Sequence, residues 1–310
     1  MEKNRFTICA NNYIDCLRQE GRYSTAHVYK HAIRSFSQFC GTQSITFSRI
    51  NRETLKRYSN YLLASRLKPN TISTYMRMLR SIYNRGVESG SAPYVPRLFH
   101  DVYTGVDVRQ KKALPATELY KLLYEDPKSE RLRRTQAIAA LMFQFCGMAF
   151  VDFAHLKKEN VRGGVLEYKR QKTGTPMLIE VQSTAWESLR ELSSDVGKDS
   201  PYLFPFLKGI KVGKEAYKEY TSALAHFNRN LKRLARACGV SIPITSYSIR
   251  HSFAMILKEQ DVPIEMISEL LGHKSIKTTQ IYLKSFSLEK MSAVNKICFE
   301  SVYNHVPKVG

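Results

Sequence analysis

The stretch TSYSIRHSFAMILKEQDVPIEMISELLGHKSIKTTQIYLKSF, residues 245–286, decides how the rest of the chain is interpreted. It places Tyr247 three residues before Arg250, and Tyr282 nine residues after His273. A tyrosine hydroxyl is a nucleophile, a guanidinium binds phosphate oxygens through a planar fork, and an imidazole can hold or move a proton near neutral pH. On one run of short helices, these groups together predict phosphoryl transfer through a covalent tyrosine intermediate.

The charge of the chain indicates a polyanionic partner. Its 310 residues carry 48 Lys and Arg against 27 Asp and Glu, a formal net charge of +21, and residues 1–100 alone carry 16 against 5. Such an excess attracts DNA or RNA, and an anionic membrane surface is the alternative that ranks lower. The apolar content of 43% excludes a disordered chain, and the length suffices for two domains.

The sequence predicts neither export nor membrane insertion. No apolar run approaches the ~20 residues of a membrane-spanning helix. The first residues lack the charged-then-apolar pattern of a secretion signal. The six Cys are scattered, without a Cys-x-x-Cys pair, so we expect reduced thiols in a cytoplasmic protein.

Residues 1–90 are predicted to form a helical, DNA-binding domain. Four segments between residues 3 and 90 carry apolar residues at helical spacing; Gly41 closes the second and Asn51, a good N-cap, opens the third. Most basic residues lie off the apolar stripes, and each by itself is a solvated surface charge. As a set they are a candidate phosphate-contacting surface. From them we select Lys30, Arg34, Arg77 and Arg80.

The segment 91–113, with its Pro, Gly and Ser residues, is predicted to be an interdomain linker, and its basic end adds Lys111 and Lys112 as candidate DNA contacts. Residues 114–310 are predicted to form a second, α-rich domain. Within it, VLEYKRQKTGTPMLIEV predicts two strands around a Lys-Thr-Gly turn, and therefore a small antiparallel β-sheet. An amphipathic tail helix is predicted from about residue 287. The fold class is thus mainly α.

The motifs around Arg250, His273 and Tyr282 resemble those of the tyrosine recombinases, the phage-integrase family. The resemblance implies site-specific DNA recombination (integration, excision or inversion, as in mobile elements). Tyr282 would attack the scissile phosphate and form a 3′-phosphotyrosine intermediate. That ester keeps the bond energy, so no metal, ATP or other cofactor is implied. The N-terminal helices resemble the core-binding (SAM-like) domain that precedes the catalytic domain in this family.

The resemblance also assigns roles around the nucleophile. Arg250 would clamp phosphate oxygens, and His273 would hydrogen-bond the phosphate and buttress Tyr282. Tyr247 stands where the family usually has His; it can donate a hydrogen bond but cannot act as a base at neutral pH. Lys172, on the predicted turn, matches the family's general acid for the leaving 5′-oxygen. The nearby alternatives to this lysine are Lys157, Lys169 and Arg170.

One part of the family pattern is missing. The family has a first Arg just after a helix end and a Gly, but this chain has Ala149 there, and Cys146 where some relatives carry the Arg instead. Neither side chain can hold a phosphate, and losing one fork should cost several kcal/mol of transition-state stabilisation. Three explanations stay open: another cation fills the gap, the enzyme is slow, or the Arg was replaced by mutation or design. The nearest cations in sequence are Arg131, Arg133, Arg134, Lys157 and Lys158.

Two other functions remain alternatives to a recombinase. Residues 263–283 have a sequence pattern typical of a helix–turn–helix, with Gly272 in the turn, as in a DNA-binding regulator. A recombinase-derived protein could also bind and bend DNA without cutting it. No paired carboxylates or His/Cys spacing predicts a metal site. For a recombinase, the resemblance implies double-stranded DNA sites, a monomer free in solution, a homo-tetramer on paired sites, and accessory DNA-bending proteins.

Overall fold

The computed structural model describes residues 5–105, 113–283 and 288–303. At a few helical positions only the backbone is described: residues 281, 282, 288, 289, 299 and 301–303. The chain divides into two compact units, one made of residues 1–109 with Lys211–Lys218 and the other of residues 110–210 with 219–310. The described residues are mainly helical with one small antiparallel sheet, which confirms the predicted fold class.

Four α-helices build the first unit, and their bounds follow the predicted signals. Asn51 caps the third helix by accepting a hydrogen bond from the Thr54 backbone N–H at 2.8 Å. Gly41 ends the second in the left-handed conformation, with φ of 67°. The helices are α1 (Phe6–Gln19), α2 (Tyr23–Cys40), α3 (Arg52–Ala64) and α4 (Pro69–Glu88).

The core of the first unit extends beyond its helices. Phe6, Phe36 and Tyr58 are almost fully buried at its centre, where the rings of Phe6 and Phe36 meet edge to face. Part of the segment predicted as a linker packs into the same core because its apolar side chains are buried there. These side chains are Ala92, Leu98, Phe99 and Val102.

The remaining elements follow in chain order after the first unit. A core that includes Phe145, Phe153 and Phe204 joins the helices of the second unit to its sheet. The elements are α5 (Ala116–Tyr124), α6 (Glu130–Gln144), α7 (Phe150–Ala154), β1 (Val161–Arg162), β2 (Val165–Lys169), β3 (Pro176–Glu180), α8 (Trp186–Ser194), α9 (Gly213–Ala237), α10 (Ser246–Glu259), α11 (Ile264–Leu270), α12 (Ile276–Tyr282) and α13 (Leu288–Tyr303).

The sheet is antiparallel in the order β1-β2-β3, so the two predicted strands are present with a short third strand beside them. Leu166 and Tyr168 of β2 are buried, whereas Lys169 is exposed, as the two-residue period of a strand requires. The hairpin turn between β2 and β3 closes where the Arg170 backbone N–H donates to the Thr175 carbonyl at 2.9 Å. This turn carries Lys172.

The turn between α11 and α12 packs directly on this hairpin. Gly272 lies in the turn with φ of 60°, and a Cβ there would meet Met177 Sδ at 2.5 Å and Arg170 Cδ at 2.6 Å. Both the left-handed backbone and the close approach require glycine. Gly272 therefore lets the hairpin and the α11–α12 turn share one site.

Candidate active site

The second unit contains a cleft with a volume of about 510 Å³. Its walls come from the start of α7, the β2–β3 turn, the middle of α9, the first turn of α10, and the α11–α12 turn with the start of α12. Four residues that the sequence analysis selected line it together: Lys172, Tyr247, Arg250 and His273. These four come from three separate segments of the sequence, so the fold itself assembles them.

Arg250 lies at the base of the cleft and is only 3% exposed. Its Nη1 donates to the Gly147 carbonyl at 3.1 Å, and its Nη2 donates to the Leu271 carbonyl and contacts His273 Nε2 at 3.2 Å. Burial, and next the neighbouring Arg170, lower the pKa of Arg250 to about 10. The guanidinium therefore stays charged at neutral pH. No described carboxylate forms an ion pair with it.

Arg250 is held in place by the start of α10. Thr245 caps this helix in a capping box, in which the Ser248 hydroxyl bonds the Thr245 backbone N–H at 3.1 Å. Tyr247 and Arg250 follow one turn apart, so both side chains line the cleft. The positive end of the α10 dipole points into the same space, which favours an anion there.

His273 is neutral in this environment. Burial, followed by the charges of Arg250, Arg170 and Lys172, lowers the pKa of His273 to about 4. Because a guanidinium can only donate, Nε2 accepts the hydrogen bond from Arg250. The proton of the neutral ring is then on Nδ1, which donates to the buried Thr279 hydroxyl at 2.8 Å. This pair of contacts fixes the ring between Arg250 and helix α12.

Tyr247 and Lys172 supply further donors to the cleft. Burial raises the pKa of Tyr247, so its side chain is a neutral phenol at pH 7 and can donate a hydrogen bond. Lys172 is exposed on the hairpin turn, and its charge contributes to the lowered pKa of His273. Its ammonium group forms no ion pair with a described residue, so it is available to an incoming ligand.

The structure shows which of the alternatives to Lys172 line the same cleft. Lys169 is exposed and lines a different groove, together with Glu159 and Glu167. Lys157 is exposed as well and pairs with Glu159 at 3.4 Å. Arg170, by contrast, lines the same cleft as Lys172 and is only 6% exposed.

Arg170 is fixed by a buried ion pair that the sequence analysis did not identify. Its Nε lies 3.3 Å from Asp152 Oδ2, and both side chains are almost completely buried. Asp152 Oδ1 also accepts the Gln171 backbone N–H at 2.7 Å, which ties the hairpin turn to α7. The signal for Arg170 was in the sequence, because the alternation of Leu166 and Tyr168 continues inward to residue 170. Asp152 had no comparable local signal.

The structure shows which position of the altered first Arg box faces the cleft. Ala149 lines it, while Cys146 is not among the described lining residues. Between them, Gly147 contacts α10 so closely that a Cβ would lie 3.2 Å from the Arg250 Cα. A side chain at position 149 would therefore enter the space beside Arg250.

The five cations nearest to this box in sequence are not nearest in space. None of them is among the described residues that line the cleft, and all five are exposed. Four already bind carboxylates or backbone carbonyls on the surface: Arg133, Arg134, Lys157 and Lys158. The fifth, Arg131, is exposed and is not among the described residues that line the cleft.

The backbone of Tyr282 ends helix α12, three residues after the Thr279 that bonds His273. The Tyr282 side chain lies outside the described residues. Its assignment as the nucleophile stays a prediction, as do the catalytic roles of the four cleft residues.

The candidate DNA contacts of the first unit occupy different environments. Lys30 and Arg34 are exposed on α2, on the same face as His27 and His31, whose ring centroids lie 4.3 Å apart. Arg80 is exposed on α4, whereas Arg77 is half-buried and its Nη2 lies 3.4 Å from Thr74 Oγ1. Lys111 and Lys112 lie outside the described residues.

The described residues contain neither a membrane-spanning helix nor a cluster of metal ligands. In these ranges no helix is long and apolar enough to cross a membrane. Nor, within the same ranges, do three or more His, Cys, Asp or Glu side chains come together as a set of metal ligands.

Comparison with known proteins matches both parts of the chain. Residues 5–98 match the phage integrase SAM-like domain, and residues 112–289 match the phage integrase family. A tyrosine recombinase of Pseudothermotoga lettingae is 24% identical over 305 residues, covering 93% of this chain and 98% of the relative.

Solved structures share the fold. A lambda integrase (75–356) dimer bound to a COC′ core site superposes with a TM-score of 0.68 at 17% identity, over 90% of this chain and 95% of the integrase. A lambda integrase tetramer bound to a Holliday junction also gives 0.68, at 16% identity, over 90% of this chain and 77% of the integrase.

Proposed function

Because this chain belongs to the phage integrase family and is a tyrosine-type site-specific DNA recombinase, we propose that it cuts and rejoins duplex DNA through a 3′-phosphotyrosine on Tyr282. The observation that carries this proposal is the composition of the cleft. Among the described residues it contains two buried guanidiniums, Arg170 and Arg250, and Arg170 alone is paired with a buried carboxylate, that of Asp152.

The charges of the cleft favour a phosphodiester. With His273 neutral, the buried groups sum to an excess positive charge, and Lys172 adds another at the rim. Burying an uncompensated cation is unfavourable, so an anion that enters the cleft recovers part of that cost. The positive end of the α10 dipole favours the same anion, and the hydroxyl of Tyr247, a hydrogen-bond donor, lines the same cleft. A phosphodiester carries one negative charge and two non-bridging oxygens, which match these groups.

The proposed reaction balances without a metal or ATP. The Tyr282 oxygen attacks phosphorus as its proton passes to water, and the bond from phosphorus to the 5′-oxygen breaks. Lys172 donates a proton to that leaving oxygen. Arg250 stabilises the charge that builds on the non-bridging oxygens. Attack of a 5′-hydroxyl on the phosphotyrosine reverses these steps and rejoins a strand.

The first unit is proposed to hold the duplex while the second performs the chemistry. We assign residues 1–90 as the core-binding domain and the exposed cations of α2 and α4 as phosphate contacts. The structural neighbours include lambda integrase as a dimer on a core site and as a tetramer on a Holliday junction. By analogy, this chain would be a monomer free in the cytoplasm and a tetramer on paired DNA sites, helped by accessory DNA-bending proteins.

Helix α13 is the proposed assembly element. Its apolar side chains Met291, Val294 and Ile297 are 49%, 59% and 67% exposed, and apolar surface of this kind favours a protein partner. A chain ending at residue 286 should bind a single half-site normally but pair two sites poorly in a gel-shift assay. Normal pairing by the shortened chain would contradict this role.

The proposed function is tested by trapping the covalent protein–DNA complex on DNA of unspecified sequence, so the recognition site need not be known beforehand. The full chain is incubated with duplexes that have a randomised central segment and nicks at varied positions, so that cleavage beside a nick releases a short fragment. Detergent-resistant protein–DNA complexes are recovered and sequenced, and a shared sequence motif defines the recognition site. We expect a covalent complex without added metal and in the presence of chelator.

The outcomes separate the alternatives. A shared motif among bound duplexes without any covalent complex would support a DNA-binding protein that does not cut. A covalent complex that maps by peptide analysis to a residue other than Tyr282 would contradict the assigned nucleophile.

A further inference from the structure

The missing first guanidinium leaves a defined place in the cleft. Ala149 lines the cleft at the position where the family's first Arg would stand, and its methyl group cannot bind an anion. The adjacent Gly147 carbonyl accepts a hydrogen bond from Arg250 at 3.1 Å. A second cation for the same ligand must therefore reach this space from another element.

Arg170 reaches it from the β2–β3 hairpin. The strand alternation that buries Leu166 and Tyr168 directs Arg170 to the same side, and the Gly272 turn leaves room for its side-chain stem. Its Nη1 donates to the carbonyls of Leu271 and Gly272, both at 3.0 Å. Arg170 thus lies beneath the turn that carries His273.

The two guanidiniums converge on one atom. Arg170 Nη1 and Arg250 Nη2 both donate to the Leu271 carbonyl oxygen. Two cations held this close repel each other, and the pKa of Arg250 is lowered in part by Arg170. Within the described part of the chain, Asp152 forms an ion pair with Arg170 alone. The pair therefore has a net positive charge that an anion between them would offset.

Arg170 still has an unused edge. Its Nε is engaged by Asp152 and its Nη1 by two carbonyls, whereas Nη2 makes no hydrogen bond with a described residue. Arg170 lines the cleft although it is only 6% exposed, so only a small part of the residue meets the cleft. One donor edge of this kind suits one phosphate oxygen.

We propose that Arg170 is a catalytic residue that binds a non-bridging oxygen of the scissile phosphate and takes the place of the family's first Arg. This inference rests on the proposed function. Arg250 and Arg170 would then supply two guanidiniums to one phosphate, one from α10 and one from the hairpin. The Asp152 carboxylate orients Arg170 by bonding its Nε.

A purely structural Arg170 is the competing explanation, since the same contacts join α7, the hairpin and the α11–α12 turn. The two explanations differ in how substrate charge matters. If the Arg170 guanidinium neutralises a phosphate oxygen, removing it should slow cleavage only while that oxygen is present, and not when an uncharged methyl group replaces the oxygen. A residue that only holds the fold together affects charged and uncharged substrates alike.

The test uses a duplex that contains the recognition sequence identified by the trapping experiment above. This duplex carries either a phosphate or one of the two methylphosphonate isomers at the scissile position, and its cleavage by wild type is compared with its cleavage by Arg170→Ala. With phosphate, we expect Arg170→Ala to cleave about 10²- to 10³-fold more slowly, the scale of one lost oxyanion donor. With at least one methylphosphonate isomer, the variant should cleave within a few-fold of wild type. Equal losses on all three substrates would overturn the proposal.

Two further variants protect the test against misfolding. Arg170→Ala leaves the Asp152 carboxylate buried without its partner, so Asp152→Asn is added to remove that charge. Arg170→Lys keeps a cation near Asp152 but lacks the fork, and we expect it to remain folded and to cleave slowly. Thermal unfolding reports folding in each case. A folded double variant or Lys variant with wild-type phosphate cleavage would also overturn the proposal.

Arg133→Ala is the matched control. Arg133 belongs to the same unit and pairs with Asp126 and Glu130 at the surface, so we expect unchanged cleavage. If wild type itself forms no covalent complex, the proposed function fails. If wild type cleaves while Arg170→Ala behaves like Arg133→Ala, only the assignment of Arg170 fails.

Discussion

The basic residues of the two units differ in how the fold holds them. Lys30 and Arg34 of the first unit project from α2 into solvent, whereas Arg170 and Arg250 of the second unit are 6% and 3% exposed. A solvated cation binds a phosphate weakly, is screened by salt and can be replaced by a neighbour. A buried guanidinium is costly to place, so its position and shape matter more than its charge alone. The number of exposed cations in the first unit should therefore govern DNA affinity. The position and shape of the buried guanidiniums in the second unit should govern the rate of cleavage.

The largest expected effect separates chemistry from binding completely. Tyr282→Phe should abolish covalent attachment, because phenylalanine lacks the nucleophilic oxygen, and should leave duplex affinity nearly unchanged. Tyr120→Phe is the control, since Tyr120 is 60% exposed in the same unit. Denaturing gels measure attachment and gel shifts measure affinity. Residual attachment by Tyr282→Phe would remove the nucleophile assignment.

Arg250→Lys tests geometry at constant charge. Lys keeps the positive charge but cannot donate to the Gly147 and Leu271 carbonyls and the phosphate together, so cleavage should fall by about 10²- to 10³-fold. The same substitution in the first unit, Arg34→Lys, should change neither cleavage nor affinity by more than a small factor. Single-turnover cleavage of the recognition duplex measures both. Comparable effects of the two substitutions would erase the contrast between the units.

Ala149→Arg tests whether the cleft already has its second guanidinium. If Arg170 occupies that role, a third guanidinium should crowd and repel the resident pair and lower cleavage about tenfold, equivalent to ~1.4 kcal/mol in the barrier. In an Arg170→Ala background, the same substitution should raise cleavage instead. Faster cleavage by Ala149→Arg alone would show that the cleft lacks a cation.

The exposed cations should act through salt dependence. Each phosphate contact contributes about −0.9 to the slope of log affinity against log salt, so replacing Lys30 and Arg34 with Ala should flatten it by about 1.8. Cleavage by fully bound protein should be unaffected. Arg133→Ala with Arg134→Ala is the control, because both charges are paired with carboxylates. An unchanged slope in the Lys30 and Arg34 variant would exclude them as phosphate contacts.

The smallest expected effect is on how the free energy of unfolding depends on pH. The pKa of His273 is lowered to about 4 from an ordinary 6.5, so the unfolded state takes up its proton first as the pH falls. The contribution of His273 to stability is present above pH 6.5 and is lost as the pH falls towards 4. Urea unfolding at several pH values should show weaker pH dependence for His273→Gln. His31→Gln is the control: burial also lowers the pKa of His31, but that ring sits beside exposed cations of α2. Equal changes in both variants would contradict the difference between the sites.

The sequence by itself determined the fold class and most of the candidate cleft. Helical periodicity, the Asn51 cap and the Gly41 stop depend on local backbone chemistry, so they could be predicted from neighbouring residues. Tyr247 and Arg250 share a face because they lie one helical turn apart. The motif around His273 and the hairpin position of Lys172 followed from the family pattern, and the structure brings all four residues to one cleft.

Tertiary structure alone decided which cation stands beside Arg250. Sequence distance favoured cations near the altered box, but these lie on the surface, while Arg170 enters the cleft from the hairpin. Its partners are 18 residues away at Asp152 and 101 residues away at Leu271. An arginine is buried only where a carboxylate and carbonyls can satisfy it, and such partners meet through packing and not through sequence spacing. For the same reason, the burial of apolar residues of the predicted linker in the first core depends on the surface that the packed helices provide.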